Sequence, residues 1–301
     1  MSVYLSLTPT EGPGHDGIGA VVYHQLLLYL MAKKSGLGYT HPGFKNLSHY
    51  DYTGYSQNQI CNEYTQFFNF PCLEEPYEVI KVPGISEEFL NLISEHRYTE
   101  NPVVINLHEE DLSEKRVTNG LEDYFFRNID YFYDKNVISE IKNNLIFNGK
   151  KYFFKDKFNI SLHIRSFNPN DTEQDNIKRE LYYPSRDTLR YENLICKLRD
   201  KYKNTPCVLN IHSQSPVING KPEYFNSFSQ FNTEDFQIVV HVNQDPWSDL
   251  YHMINSELFI MSNSSFSHIA SLLNTNTVIA RDNFWKYTYP SIIKVNRKYD
   301  F

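Results

Sequence analysis

The clearest pattern of apolar and polar positions lies in the second half of the chain. Short apolar runs predict strands at Phe236–Val242, Leu258–Met261 and Thr277–Ala280. Apolar residues at helical spacing predict helices between them, at Trp247–Ile254 and Ser265–Leu273. Strands that alternate with helices are joined by crossovers and therefore pair in parallel. This stretch is thus predicted to be part of an α/β unit.

The same alternation extends back to residue 158. Phe158–Arg165 and Cys207–Ile211 are predicted strands, and Asp187–Tyr202 is a predicted helix between them. The second half therefore contains five predicted strands, followed by a strand-like stretch at Ser291–Val295. This arrangement predicts one Rossmann-like domain.

The first half alternates in the same way. Its predicted strands are Val3–Leu7, Tyr77–Val82 and Pro102–Leu107, and its predicted helices are 20–34, 59–68, 87–96, 121–133 and 137–147. The polar turn Asn148–Lys151 is the predicted boundary region. We therefore expect an α/β protein of two Rossmann-like domains, 1–152 and 153–301, with the last helix or tail available to pack back on the first.

Composition excludes several classes of protein. The 301 residues carry a net charge of -7, which argues against a nucleic-acid groove as the main surface. No apolar run is long enough to span a membrane, and the first residues lack a signal peptide's basic and apolar regions, so we expect a cytoplasmic protein. The four cysteines show no metal-binding spacing and are expected to be reduced thiols: Cys61, Cys72, Cys196 and Cys207.

Polar side chains follow four successive strands of the second half. They are His163 and Arg165, then His212, Ser213 and Gln214, then His241 and Asp245, then Ser264, Ser265 and Ser267. The carboxyl ends of parallel strands lie along one edge, so these residues are expected to converge. Each alone also has an ordinary explanation, such as a buried histidine, an arginine ion pair or Asp245 capping the next helix.

The serine run suits an anion, because hydroxyls and free backbone N–H groups meet at a helix N-terminus. The alternative is that Ser264 or Ser265 is only an N-cap. With Arg165 beside it, the run suits a diphosphate, and a carboxylate two strands away suits a nucleobase or ribose. Neither a P-loop nor a DxD motif is present, so Arg165 and the helix dipole, not Mg²⁺, are expected to balance the phosphate charge.

These residues resemble the fucosyltransferase superfamily. His163-Ile-Arg165 is similar to its HxR signature, and the resemblance continues through Asp249–Met253 to the block Ser264-Ser265-Phe266-Ser267. The loop Gly17-Ile-Gly19 is similar to that superfamily's N-terminal glycine loop. The chain looks most like glycosyltransferase-like proteins of large DNA viruses and algae, so the cytoplasm could be that of a host.

The resemblance implies a GT-B fold, in which two Rossmann-like domains face a central cleft, and inverting transfer without a metal or other cofactor. It places Arg165 and the serine block on the donor diphosphate, and His241, Asp245 and Asp249 on the nucleoside. The partners would be a nucleotide sugar, GDP-fucose first, and a glycan or glycoprotein acceptor. The chain departs from the family after Arg165, where Ser166-Phe167-Asn168 replaces an acidic pair. Another donor, such as UDP-xylose, is therefore an alternative.

An inverting transferase needs a base for the acceptor hydroxyl. His15 and Asp16 on the glycine loop are the candidates, although Asp16 could instead cap the following helix. Glu173 and Glu180 are weaker candidates.

Two other functions remain open. The missing acidic pair fits a nucleotide- or glycan-binding module that has lost catalysis. Gly12, Gly14 and Gly17 match GxGxxG, which would fit an NAD-type oxidoreductase, although no acidic residue follows at the distance needed for a ribose.

Overall fold

The structure is a computed structural model. The residues that it describes are 3–8, 18–44, 56–74, 77–98, 100–108, 117–165, 188–213, 223–281 and 289–295. Contacts group them into two compact units, and the chain passes from the first to the second between Ile146 and Phe147. The sequence predicted this boundary after residue 152, a few residues later in the chain than the structure places it.

The first unit is built on a parallel sheet. Its strands are β1 Val3–Thr8, β2 Gly38–Tyr39, β3 Glu78–Val82 and β4 Val103–His108. They lie in the order β2-β1-β4-β3, and every pair is parallel. Its helices are α1 Ile18–Lys34, α2 Gln57–Phe68, α3 Glu87–His96, α4 Val117–Arg127, α5 Ile129–Phe132 and α6 Lys135–Asn144.

Helix α1 lies in the core of this unit because its residues are apolar on nearly every side, and almost all of those described are buried. Its last turn carries Lys33 and Lys34, which pair with Glu140 at 2.7 Å and Asp134 at 2.8 Å. Cations there also interact favourably with the helix dipole. Gly36 then ends the helix with a φ of +68°, as the sequence predicted.

Two features of the first unit differ from the prediction. Strand β2 was not predicted, because two residues are too few for an alternating pattern. The single helix predicted at 121–133 is wrong, since the chain forms α4 and α5 with Asn128 between them. The backbone of Asn128 is not helical (φ -118°, ψ 30°), and its side chain bonds to the carbonyl of Tyr124 at 2.8 Å.

The second unit contains six parallel strands. They are β5 Phe158–Ile164, β6 Cys207–Ser213, β7 Phe236–Val242, β8 Leu258–Ile260, β9 Thr277–Arg281 and β10 Ile292–Val295. Its helices are α7 Thr188–Lys201, α8 Pro246–Asn255 and α9 Ser265–Leu273, with a 3₁₀ helix at Glu223–Phe231 that the sequence pattern did not predict. The strand-like stretch near the end of the chain is therefore a sixth strand.

The strand order of this sheet is β10-β9-β8-β5-β6-β7. Counted from β5, this is the 3-2-1-4-5-6 order of a Rossmann fold. The direction of strand addition reverses between β5 and β8. Open α/β sheets bind ligands beyond the carboxyl ends of the strands at this point, because the flanking connections diverge there and leave a crevice.

The two faces of the second sheet differ in polarity. On one face, Ile160, Leu162 and Ile164 of β5 pack in a core with Leu194 and Leu198 of α7. Each such side chain contributes about 1.5–3 kcal/mol when fully buried. The opposite face of β5 carries polar residues and lies against α8 and α9.

The predicted α/β fold with two parallel-sheet domains is thus confirmed. Within the described ranges, no helix combines the length and apolar character needed to cross a membrane.

Candidate functional site

Three histidines form a row across the carboxyl edge of the second sheet. The register pairs His163 of β5 with His212 of β6, and His212 with His241 of β7. All three are at least nine-tenths buried. The convergence predicted from their strand-end positions therefore holds for these three residues.

His163 is held by two serines that follow β8. Its Nδ1 lies 2.6 Å from the Ser267 hydroxyl and 2.8 Å from the Ser262 hydroxyl. The Ser262 backbone N–H also donates to the Ser267 oxygen at 3.1 Å, and the two serine hydroxyls lie 3.2 Å apart. Burial, with His212 and Arg165 nearby, lowers the pKa of His163 to about 3. The ring is therefore neutral near pH 7.

Arg165 follows β5 and reaches the first turn of α9. Its Nη1 donates to the Ser264 hydroxyl at 3.3 Å. Ser264 is the N-cap of α9, and its oxygen also accepts from the Phe266 N–H at 3.3 Å. The N-cap alternative is thus correct for Ser264, yet it does not exclude a binding role. Ser265 and Phe266 are partly exposed, so the helix N-terminus is accessible beside the guanidinium.

A second hydrogen-bonded pair lies one strand away. His212 Nδ1 is 2.7 Å from Oδ1 of Asp249 in the first turn of α8. Burial lowers the pKa of His212 to about 3 and raises that of Asp249 to about 7. The neutral ring therefore donates its Nδ1–H to the carboxyl group. On the other side of the ring, Nε2 lies 3.5 Å from the Ser161 hydroxyl.

This Ser161–His212–Asp249 arrangement has the residue types of a hydrolase triad. Ser161 lies within β5 and is 1% exposed, so a substrate has no access to its oxygen. The serine therefore supports the ring instead of acting as a nucleophile.

Two further histidines pack around His212. The rings of His212 and His241 stack at 5.1 Å and 14°, and His252 of α8 lies 6.1 Å away on a nearly parallel plane. His252 Nδ1 donates to the Ser248 carbonyl at 2.6 Å, and its Nε2 accepts from the Tyr152 N–H at 2.8 Å. Both nitrogens thus have partners in the neutral form, and burial lowers the pKa of His252 to about 4.

The remaining predicted site residues have varied positions. Ser213 donates its hydroxyl proton to the Ile164 carbonyl at 2.7 Å, which links β6 to β5. Asp245 occupies the N-cap position of α8 without a side-chain cap bond. Gly19 lies in the first turn of α1. Several predictions fall outside the described residues: His15, Asp16, Gly17, Gln214, Glu173 and Glu180, with Gly12, Gly14 and the segment 166–168.

Five residues of this network were not among the predicted site residues: Tyr152, Ser161, Asn210, His252 and Ser262. Asn210 Oδ1 accepts from His241 Nε2 at 3.0 Å. A sequence signal for some of them exists, because Ser161 and Asn210 are polar residues at alternate positions of otherwise apolar strands. Such residues need partners when buried, which points to a polar network on that face.

Among the residues that the structure describes, no group of three or more His, Cys, Asp or Glu side chains could hold a metal ion.

The fold and site together define an α/β protein of two parallel-sheet units, the second with an arginine, a serine-capped helix and a histidine row at its topological switch point. No protein-family model matches the chain, and no curated protein matches it. Solved structures are similar over nearly the whole length.

One is POFUT1 in complex with GDP, at 12% identity and a TM-score of 0.41, covering 98% of each chain. Another is POFUT1 in complex with GDP-fucose, at 14% identity and a TM-score of 0.42, covering 97% of each. A third is the E. coli heptosyltransferase WaaC with ADP, at 7% identity and a TM-score of 0.46, covering 98% of this chain and 93% of that one. The two parallel sheets, and not these similarities, define the fold described above.

Proposed function

We propose that the chain is a glycosyltransferase that binds the diphosphate of a nucleotide-sugar donor at the carboxyl edge of its second sheet. The observation that supports this most directly is the hydrogen bond from Arg165 to Ser264, which holds a guanidinium at the N-terminus of α9. The helix dipole and the guanidinium both favour an anion at this point. The site also lies at the switch point between β5 and β8, where open α/β sheets bind their ligands.

His163 adds a neutral hydrogen-bond donor to this site. We propose the tautomer in which Nδ1 accepts from a serine hydroxyl and Nε2 carries the proton and donates to a phosphate oxygen. A neutral ring adds no positive charge, so Arg165 and the helix dipole supply the electrostatic attraction. We propose on this basis that donor binding and transfer need no divalent cation.

The donor we favour is GDP-fucose, and UDP-xylose is the alternative. The resemblance of His163-Ile-Arg165 and Ser264–Ser267 to the fucosyltransferase superfamily supports the first. The departure at residues 166–168 supports the second. Transfer would invert the anomeric centre, with the second unit on the donor side and the first on the acceptor side of a GT-B arrangement. His15 or Asp16 would take the acceptor proton.

Calorimetric titration of Arg165→Ala with GDP, UDP and the two nucleosides tests this function. Hydrogen bonds to charged groups contribute about 1.5–3 kcal/mol, so diphosphate affinity should fall about ten- to a hundredfold. Nucleoside affinity should stay the same, because nucleosides make no such bonds. Arg165→Lys should recover only part of the loss, since lysine lacks the planar fork.

Arg199→Ala is the matched control, because Arg199 lies on α7 and contacts Asp200 on the surface. It should bind all four ligands as the wild type does. Unchanged diphosphate affinity in a folded Arg165→Ala protein would remove Arg165 from the site. Wild-type nucleotide binding without sugar transfer or donor hydrolysis would instead favour the inactive binding module.

A further inference from the structure

The pair formed by His212 and Asp249 is rigid and almost closed to solvent. His212 is 1% exposed and is fixed at both nitrogens, by Asp249 Oδ1 at 2.7 Å and by Ser161 at 3.5 Å. Its ring also stacks on that of His241 and lies near that of His252 on a nearly parallel plane. A ring held in this way cannot rotate without breaking several contacts, so the position of the carboxyl group is fixed too.

Asp249 has capacity for one more partner. Among the described residues, His212 is the one that hydrogen-bonds to its carboxyl group, and the bond uses Oδ1. The side chain is 14% exposed, whereas that of its partner is 1% exposed. A largely buried carboxylate with an oxygen still available is suited to accept an N–H or O–H from a ligand.

The pair lies close to the proposed diphosphate site. His163 and His212 are register partners on adjacent strands, which run about 4.8 Å apart. His163 is itself bonded to the serines around the start of α9. If the phosphates of a nucleotide lie at Arg165 and Ser264, its nucleoside reaches Asp249 by lying across one or two strands of the sheet edge.

We propose that His212 is a positioning residue that holds the Asp249 carboxylate, through Nδ1, as the acceptor for an N–H or O–H group of the nucleoside. This inference rests on the proposed function and adds a residue to it. Nucleoside binding then favours the ionised carboxylate, because the ligand supplies the hydrogen of this bond. A protonated carboxyl group would place its own hydrogen against that of the ligand.

Nucleotide binding should therefore release a proton from Asp249 to the buffer near neutral pH. Burial raises the pKa of this carboxyl group to about 7, while His241 and His252 act to lower it and Asp245 to raise it. Around the pair lie Ser161 on β5, next to His212, and the Tyr152 segment, which packs on His241 and His252. His212 and His252 are neutral at this pH, because burial lowers their pKa values to about 3 and about 4.

The experiment is calorimetric titration with GDP, UDP and pyrophosphate in two buffers of different ionisation enthalpy, at pH 6, 7 and 8. The wild type should release a fraction of a proton per nucleotide near pH 7, and its nucleotide affinity should fall below pH 7. Asp249→Asn should lose this extra release and bind nucleotides about ten- to a hundredfold more weakly. The titration of the phosphates themselves is common to both proteins, so the difference between them reports on Asp249.

His212 is tested by two substitutions. His212→Ala should lower the affinity for GDP and UDP about tenfold or more and leave the affinity for pyrophosphate unchanged. His212→Asn places an N–H near the position of Nδ1 and should restore part of the affinity. His41→Ala removes a buried histidine of the first unit (3% exposed) and should leave all three affinities unchanged. Because Asp249→Asn preserves side-chain volume, it tests the pair even if His212→Ala does not fold.

A purely structural role for His212 predicts equal weakening of pyrophosphate and nucleotides, and that result would overturn the inference. Equal proton release in wild type and Asp249→Asn would also overturn the inference. If both proteins still bound nucleotides, the proposed function would be unaffected. A wild type that binds neither nucleotide would overturn both.

Discussion

At the scale of single residues, Ser267 makes three contacts with one oxygen. It accepts from the Ser262 N–H and lies against His163 Nδ1 and the Ser262 hydroxyl, and it is fully buried. A serine on a helix thereby fixes the orientation of a histidine ring on a neighbouring strand.

Ser267→Ala should destabilise the protein by about 1–3 kcal/mol, because a buried N–H loses its acceptor and Nδ1 loses one of two partners. Ser271→Ala is the control one turn further along α9. Among the described residues, its hydroxyl bonds to the His268 carbonyl alone, at 2.9 Å, an acceptor that the helix already uses. Urea unfolding compares the two variants, and equal midpoints would show that the Ser267 contacts contribute no more than the Ser271 contact.

At the scale of elements, α8 and α9 are joined by the side chain of Asn274, the C-cap of α9. Its Nδ2 donates to the carbonyls of Met253 at 2.8 Å and Ser256 at 3.1 Å, near the end of α8. Terminal carbonyls of a helix have no partner within it. This side chain thus satisfies them and holds together the two helices that carry Asp249 and the serine block.

Asn274→Ala should destabilise the second unit by about 2–3 kcal/mol, since two buried carbonyls lose a donor. Asn276→Ala removes a bond of the same length to the same Ser256 carbonyl, at 3.1 Å, from an exposed side chain. It should change stability by less than about 1 kcal/mol. Thermal unfolding measures both, and a larger effect of Asn276→Ala would contradict this account.

At the scale of the whole molecule, buried histidines dominate the expected response to acid. Burial lowers the pKa of four histidines of the second unit to about 3 or 4: His163, His212, His252 and His268. The unfolded chain protonates near pH 6.5 and the folded chain only near 3–4, so the unfolded state binds more protons in between. Asp249, with its raised pKa, acts in the opposite direction between about pH 7 and 4, but the histidines outnumber it.

The second unit should therefore be most stable above pH 6.5 and lose stability steadily as the pH falls towards 4. Both tryptophans, Trp247 and Trp285, lie in the second half of the chain, so their fluorescence follows its unfolding in urea. The midpoint at pH 5 should be clearly below that at pH 7.5. His268→Gln should flatten the dependence, and a midpoint that rises in acid would show that these histidines are protonated in the folded state.

The proposed independence of divalent cations is tested on the whole molecule. Transfer or donor hydrolysis should continue at an unchanged rate in EDTA, because Arg165 and the dipole of α9 are proposed to carry the charge balance. The measurement is turnover of GDP-fucose and UDP-xylose with and without chelator. Activity that is lost in EDTA and restored by Mn²⁺ or Mg²⁺ would contradict the proposal.

The sequence by itself determined the α/β alternation, the bounds of most helices and strands, and the position of the serine block at a helix start. These are local properties, because apolar periodicity and capping act over a few residues. It also identified Arg165 and the three strand-end histidines as one group, since parallel strands share a carboxyl edge.

Only the tertiary structure decided which of these groups are partners. The pairing of His212 with Asp249 and of His163 with Ser262 and Ser267 depends on strand order and helix packing, which join residues tens of positions apart. The break at Asn128 and the two-residue strand β2 likewise follow from packing, since neither leaves a periodic signal. The physical reason is that hydrogen-bond partners of buried polar groups are chosen by distance in the folded chain, whereas a sequence pattern reports only what neighbours along the chain prefer.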